Sequence, residues 1–150
     1  MNPAEIPIVQ ATWRDLSALR KHEKECFNKD DAWPLIDLIG TLTLPGIARL
    51  KLEADDHMIG FFAGSTHQRA GYGSILSISI SPDWQGRGLG ARLLQAGEQA
   101  LDTPRFELCT RKSNTAAIHL YEKAGYFQTD VWKGYYFGED ALVFEKQALH

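Results

Sequence analysis

Residues 85–91 read Gln85-Gly86-Arg87-Gly88-Leu89-Gly90-Ala91 and join two segments of opposite periodicity. Upstream, residues 73–81 spell Gly-Ser-Ile-Leu-Ser-Ile-Ser-Ile-Ser, so Ile78 and Ile80 share one face and Ser77, Ser79 and Ser81 the other, the period of a strand. Downstream, residues 89–101 are good helix formers with apolar residues at helical spacing. Glycines at three alternate positions leave out Cβ atoms where the strand gives way to the helix. Successive N–H groups then point into one concavity beside the positive helix N-terminus, an arrangement that holds a diphosphate. Arg87 and Arg92 are placed to add charge-assisted contacts. The competing reading is a tight turn with no ligand.

Outward from this turn, residues 6–11 are a short β-prone run, and Thr12 with Asp15 forms an N-cap pair. The helical stretch it opens carries Leu16, Leu19, Glu23, Cys26 and Phe27. Pro34 opens a second helix through Leu35, Ile36, Leu38 and Ile39, which Pro45-Gly46 ends. Residues 47–54 and 58–65, around Asp55-Asp56-His57, predict an antiparallel hairpin beside the strand at 73–81. Residues 106–110 read as a strand, 114–124 as a helix closed by Gly125, and 126–132 and 141–146 as two last strands. The expected order is β-α-α-β-β-β-α-β-α-β-β in one domain, residues 1–150, without repeat or linker.

Composition removes several function classes. A chain of 150 residues, 44% hydrophobic and 23% charged, supports one core. Its 16 Lys plus Arg against 19 Asp plus Glu give a net charge of -3, which leaves no broad basic surface for nucleic acid. Cys26 and Cys109 stand far apart in no metal or CxxC spacing, which fits a reducing, cytoplasmic setting. The start has no basic-then-apolar leader, and no apolar run approaches the ~18 residues of a membrane span. His119 and Glu122 lie one turn apart without a third ligand, and His22, His57, His67 and His150 carry no readable spacing, so no metal is expected.

Among phosphate motifs, a Walker loop fails because Gly90-Ala91-Arg92 lacks its lysine and hydroxyl. Gly86, Gly88 and Ala91 match the dinucleotide pattern, with Glu107 at the distance of its ribose acid. Here, however, Pro82-Asp83-Trp84-Gln85 intervene after the strand, and no second βαβ half follows. A third comparison covers more residues. The run Ser81-Pro82-Asp83-Trp84-Gln85-Gly86-Arg87-Gly88-Leu89-Gly90 resembles motif A of GNAT N-acetyltransferases, and Asn114-Thr115-Ala116-Ala117-Ile118-His119-Leu120-Tyr121-Glu122-Lys123-Ala124-Gly125-Tyr126 resembles their motif B. Lys133-Gly134-Tyr135-Tyr136 and Gly138-Glu139-Asp140-Ala141-Leu142 resemble the branch that acetylates the N-terminal alanine of a ribosomal protein.

The resemblance implies an α/β GNAT acyl-CoA N-acyltransferase fold: a mixed, mostly antiparallel splayed sheet with helices on both faces. It implies acetyl transfer from acetyl-CoA, as cosubstrate, to a primary amine, and it is compatible with a homodimer. The pantetheine arm would pair with Ile78, Ser79 and Ile80, the diphosphate would sit on Gln85, Gly86, Arg87, Gly88, Leu89, Gly90 and Ala91, and Asn114 and Lys123 would complete the cofactor contacts. Tyr121 falls on the motif B general acid, although its helical apolar stripe also suits a core aromatic. The base departs from the pattern, because Cys109 stands where the ribosomal-protein branch has glutamate. Glu107 lies on the same strand face about 7 Å back and is the candidate replacement, acting through water. Glu139 and Asp140, or no dedicated base at all, are the alternatives. Cys109 itself reads as a small hydrophobe, not a nucleophile. Trp33, Tyr72, Tyr135 and Tyr136 are candidates for the acceptor channel by resemblance. The acceptor stays open between a protein N-terminal α-amine and a small-molecule amine such as a polyamine or aminoglycoside. A non-catalytic acyl-CoA-binding module is the reading from a different class.

Overall fold

The computed structural model describes residues 2–29 and 31–148, so His150 lies outside the described residues. Its elements are β1 (Ile8–Gln10), α1 (Leu16–Cys26), α2 (Leu35–Thr43), β2 (Ile47–Ala54), β3 (His57–His67), β4 (Tyr72–Ile80), α3 (Leu89–Leu101), β5 (Arg105–Arg111), α4 (Thr115–Lys123), β6 (Phe127–Tyr136) and β7 (Glu139–Gln147). Element order follows the expectation from sequence, and the differences are at ends. Thr12 and Asp15 do form a capping box, but they cap a 3-10 turn, Trp13–Asp15, that runs into α1. The β2–β3 turn is two residues, Asp55 and Asp56, both at positive φ as a twist-matched tight hairpin requires. The last hairpin is longer than its apolar patterning suggests, because β6 extends to Tyr136 across an irregular stretch after Trp132.

The seven strands run in the order β1-β2-β3-β4-β5-β7-β6, and every neighbouring pair is antiparallel except β4–β5. Helices cover both faces. On one, Phe62, Leu89, Leu93, Leu94, Leu108, Tyr121 and Phe144 form the main core under α3 and α4. On the other, Phe61 and Ala63 pack beneath Leu19 of α1 and Leu38 and Leu42 of α2. Alternation along β3 divides these two cores, with Phe61 and Phe62 pointing to opposite faces. No helix among the described residues is long and apolar enough to cross a membrane.

Candidate active site

Strands β4 and β5 are paired only at Gly73↔Phe106 and Ser74↔Glu107, and then they part. On the other edge of β4 the register with β3 slips between Ala63 and Gly64, where Ala63 opposes Ser77 and Gly64 opposes Ile75, leaving Leu76 as an extra residue. Such a bulge bends its strand and increases local twist, which accounts for the separation from β5. Beyond it the β5-facing edge of β4 has no ladder partner, so its amides and carbonyls, apart from the Ile80 carbonyl that Gln85 engages, are available to a ligand with amides of its own.

The resulting cleft holds about 200 Å³. Ile75 to Ile78 line it from β4, Leu108 to Arg111 from β5, and Ala117 and Tyr121 from α4 with its N-cap Asn114. Phe27, Asp31 and Trp33, from the connection between α1 and α2, and Tyr136 wall its other end. Tyr121 is 7% exposed, packed on Tyr126 and Phe144, and burial raises its phenol well above the ordinary value of 10. It is therefore held protonated, as a proton donor must be. Burial also raises the Cys109 thiol, whose Sγ lies 3.7 Å from the Tyr136 hydroxyl, and this keeps it from being a thiolate nucleophile.

Arg111 crosses the mouth. It donates to both carboxylate oxygens of Asp31 and, at 3.2 Å, to Glu139 Oε1, and its guanidinium stacks 4.6 Å over the Tyr136 ring. Glu139 also accepts from the Ser113 hydroxyl at 2.9 Å, and these bonds, Ser113 first and Arg111 next, lower its pKa. Asp140 accepts from the Gly134 amide at 3.0 Å.

At the glycine turn, Gly86 and Gly88 adopt positive φ, 77° and 79°, with open space where a Cβ would stand. Gly88 caps α3 without a side chain, so the amides of Leu89, Gly90 and Ala91 have no partner within the helix, and residues 85–88 are exposed. Gln85 Nε2 braces the turn by donating to the Ile80 carbonyl at 3.0 Å.

Other positions fall elsewhere. Arg92 does not face the turn; it donates to the carbonyls of Pro3 and Ile6, tying the N-terminal segment to α3. Arg87 stacks on Trp84 at 4.6 Å. Glu107 sits where β4 and β5 are still paired and does not line the cleft. Tyr72 stacks on His67 at that same closed end, away from the cleft lining. Trp33 and Tyr136 line the cleft, whereas Tyr135 is exposed beside Tyr136. Lys123 is exposed at the end of α4, and His119 and Glu122 face solvent. The dinucleotide reading fails on topology, because the sheet has one short parallel contact and no βαβ pair of halves.

Two features were not singled out in the sequence. Arg111 and Asp31 are 80 residues apart, and no local pattern links them. His22 and Glu23 in α1 are each 1% exposed. A histidine on a helix that packs against a strand of alternating serines was the available signal.

The profile described as the acetyltransferase (GNAT) family matches residues 11–126. Ribosomal protein bS18-alanine N-acetyltransferase of Salmonella typhimurium is 38% identical over 101 residues, 63% of this chain and 67% of that one. N-alpha-acetyltransferase 20 of Dictyostelium discoideum is 30% identical over 109 residues, 68% of this chain and 63% of that one. The crystal structure of the ribosomal-protein-S18-alanine N-acetyltransferase from Escherichia coli superposes with a TM-score of 0.84 at 24% identity, covering 94% of this chain and 92% of that chain. With a splayed sheet, an open glycine turn and a buried tyrosine in the cleft, the chain belongs to the GNAT family and is an acetyl-CoA-dependent N-acetyltransferase.

Proposed function

We propose that the acceptor is the α-amine of a protein or peptide N-terminus. The carrying observation is that, among the described residues, the only carboxylate lining the cleft, Asp31, is committed to Arg111. Attack on the thioester needs a neutral amine. With a reference pKa of about 7.7–8.0, an α-amine is roughly one-third neutral near pH 7.5, while a lysine ε-amine at about 10.4 is neutral to roughly one part in a thousand. A cleft without a free base therefore favours the α-amine by more than two orders of magnitude in reactive form. The relatives named for ribosomal-protein alanine and N-alpha acetylation agree with this choice.

In this reading the pantetheine arm pairs with the free edge of β4 at Ile78, Ser79 and Ile80, and the diphosphate rests on the amides of Gly86 to Ala91 with Gln85 bracing the turn. Asn114, whose Oδ1 caps α4 by accepting from Ala117 at 3.1 Å, fixes the helix that carries Tyr121. The neutral amine forms the new C–N bond, the tetrahedral oxyanion collapses, and the C–S bond breaks as Tyr121 gives its proton to the departing thiolate. The amine's proton passes to solvent, from which Tyr121 regains the one it gave. Glu107 has no part in this step, and the contact of Lys123 is confined to the exposed end of the cosubstrate. A cytoplasmic setting belongs to the same reading, supported by two free cysteines.

The test is mass spectrometry of equal mixtures of a peptide with a free N-terminus, the same peptide N-blocked but bearing lysine, and spermidine, each incubated with enzyme and acetyl-CoA. Acetylation at the free N-terminus at least 10-fold above the others is expected. Preferential spermidine or lysine acetylation would overturn the assignment.

A further inference from the structure

The alternation Ile78-Ser79-Ile80-Ser81 places its serines, not its isoleucines, against α1, on the face where β3 contributes Phe61 and Ala63. Both serines are buried, at 9% and 6% exposure. Their hydroxyls meet one side chain: Nε2 of His22 lies 2.9 Å from Ser79 Oγ, and Nδ1 lies 3.3 Å from Ser81 Oγ. Cys26, one turn on, brings Sγ within 3.4 Å of the same ring, and burial raises its thiol pKa to about 12. Glu23 closes the row by accepting from the Trp33 amide at 3.4 Å.

A buried seam of this kind contributes little net stability compared with apolar residues of the same shape, because each hydroxyl and ring nitrogen gives up water to gain one partner. What it adds over an apolar contact is direction. The β4–β5 ladder ends at Ser74, so the outer edge of β4 has no neighbour to hold it beyond that point. Ser79 and Ser81 stand at the far end of this free edge, and a ring that engages both hydroxyls fixes the twist of that end relative to α1.

We propose that His22 is a positioning residue for the acyl donor: through Ser79 and Ser81 it holds the end of β4, paired to β3 but open on its β5-facing edge, in the orientation that receives the thioester arm. The inference rests on the reading that the arm pairs with β4, and it concerns neither the acceptor nor the proton donor. His22 touches no reacting atom. Its removal therefore weakens acetyl-CoA binding while the chemical step persists.

The experiment replaces the seam by apolar residues, His22→Leu with Ser79→Ala and Ser81→Ala, and compares it with His22→Gln, which keeps a hydrogen-bonding amide near Ser79. The expected result is a folded triple variant whose acetyl-CoA Kd and KM rise about 10-fold with kcat within threefold, and a His22→Gln variant that recovers most of the loss. Should the triple variant fail to fold, Ser79→Ala and Ser81→Ala are measured singly, and each is expected to raise acetyl-CoA Kd severalfold. A folded variant with wild-type acetyl-CoA affinity overturns the proposal. Hydrogen exchange of the wild-type enzyme separates the two levels. Protection of the amides of residues 77–80 by acetyl-CoA upholds the arm's placement even where the proposal fails, and absence of that protection sinks both.

Discussion

Tyr121 carries two properties that pull apart in most side chains, burial in a core and a place in the lining of the cleft. Its ring packs among Tyr126 and Phe144, while its surroundings keep the phenol protonated and facing the cleft. Tyr121→Phe keeps the packing and deletes the proton. We expect kcat to fall about 10²- to 10³-fold, the scale of one positioned acid, with acetyl-CoA Kd unchanged by calorimetry; a loss under threefold would remove Tyr121 from the mechanism. Glu23 offers a second test. Burial raises its carboxyl above the ordinary 4.5, with the Trp33 amide opposing. Between 4.5 and that raised value the native state holds more protons than the unfolded chain, so stability falls as pH rises through this window. Glu23→Gln abolishes that loss. The Tm difference, variant minus wild type, is expected to be larger at pH 8 than at pH 4.5, and an equal difference at both would contradict the assignment.

Helix α3 sits so close to β3 that a Cβ built at Gly97 would meet the Phe62 ring at 2.3 Å. Gly97→Ala is therefore an overpacking change in the main core, expected to cost at least about 1–3 kcal/mol in denaturant unfolding despite alanine's better helix propensity. A stabilised variant would show that α3 can shift away from the sheet. The same close approach shows why some features were readable and others not. Turn and cap residues act locally, so Thr12 with Asp15, the Asp55-Asp56 turn and Gly125 announced their elements in the chain. The departure of β4 from β5 depends on a one-residue slip at Leu76 against a strand some dozen residues away, and alternation alone does not report it. Glu107 shows the consequence. Alternation put it on the same face as Cys109, but the position where the strands separate lies beyond it.

Across the whole molecule, two segments distant in sequence close over one cleft, with Asp31 arriving from the α1–α2 connection and Glu139 from the last hairpin to meet Arg111 of β5. This closure was not legible, because ion pairs across 80 and 28 residues leave no periodic trace. The motifs on either side of the cleft were legible, because each is a contiguous run of backbone-determined chemistry. The closure commits Asp31 and Glu139 to Arg111, and the proposed reading therefore leaves proton removal to the acceptor. The decisive measurement is the pH dependence of kcat/KM for two acceptor peptides that differ only in the pKa of their α-amine. If the amine loses its proton without a dedicated protein base, the rising limb of the profile moves with the acceptor, by the full difference between the two amines. A limb that stays at one pH for both peptides would mean that a group of the enzyme removes the proton, and the account given for this cleft would be wrong.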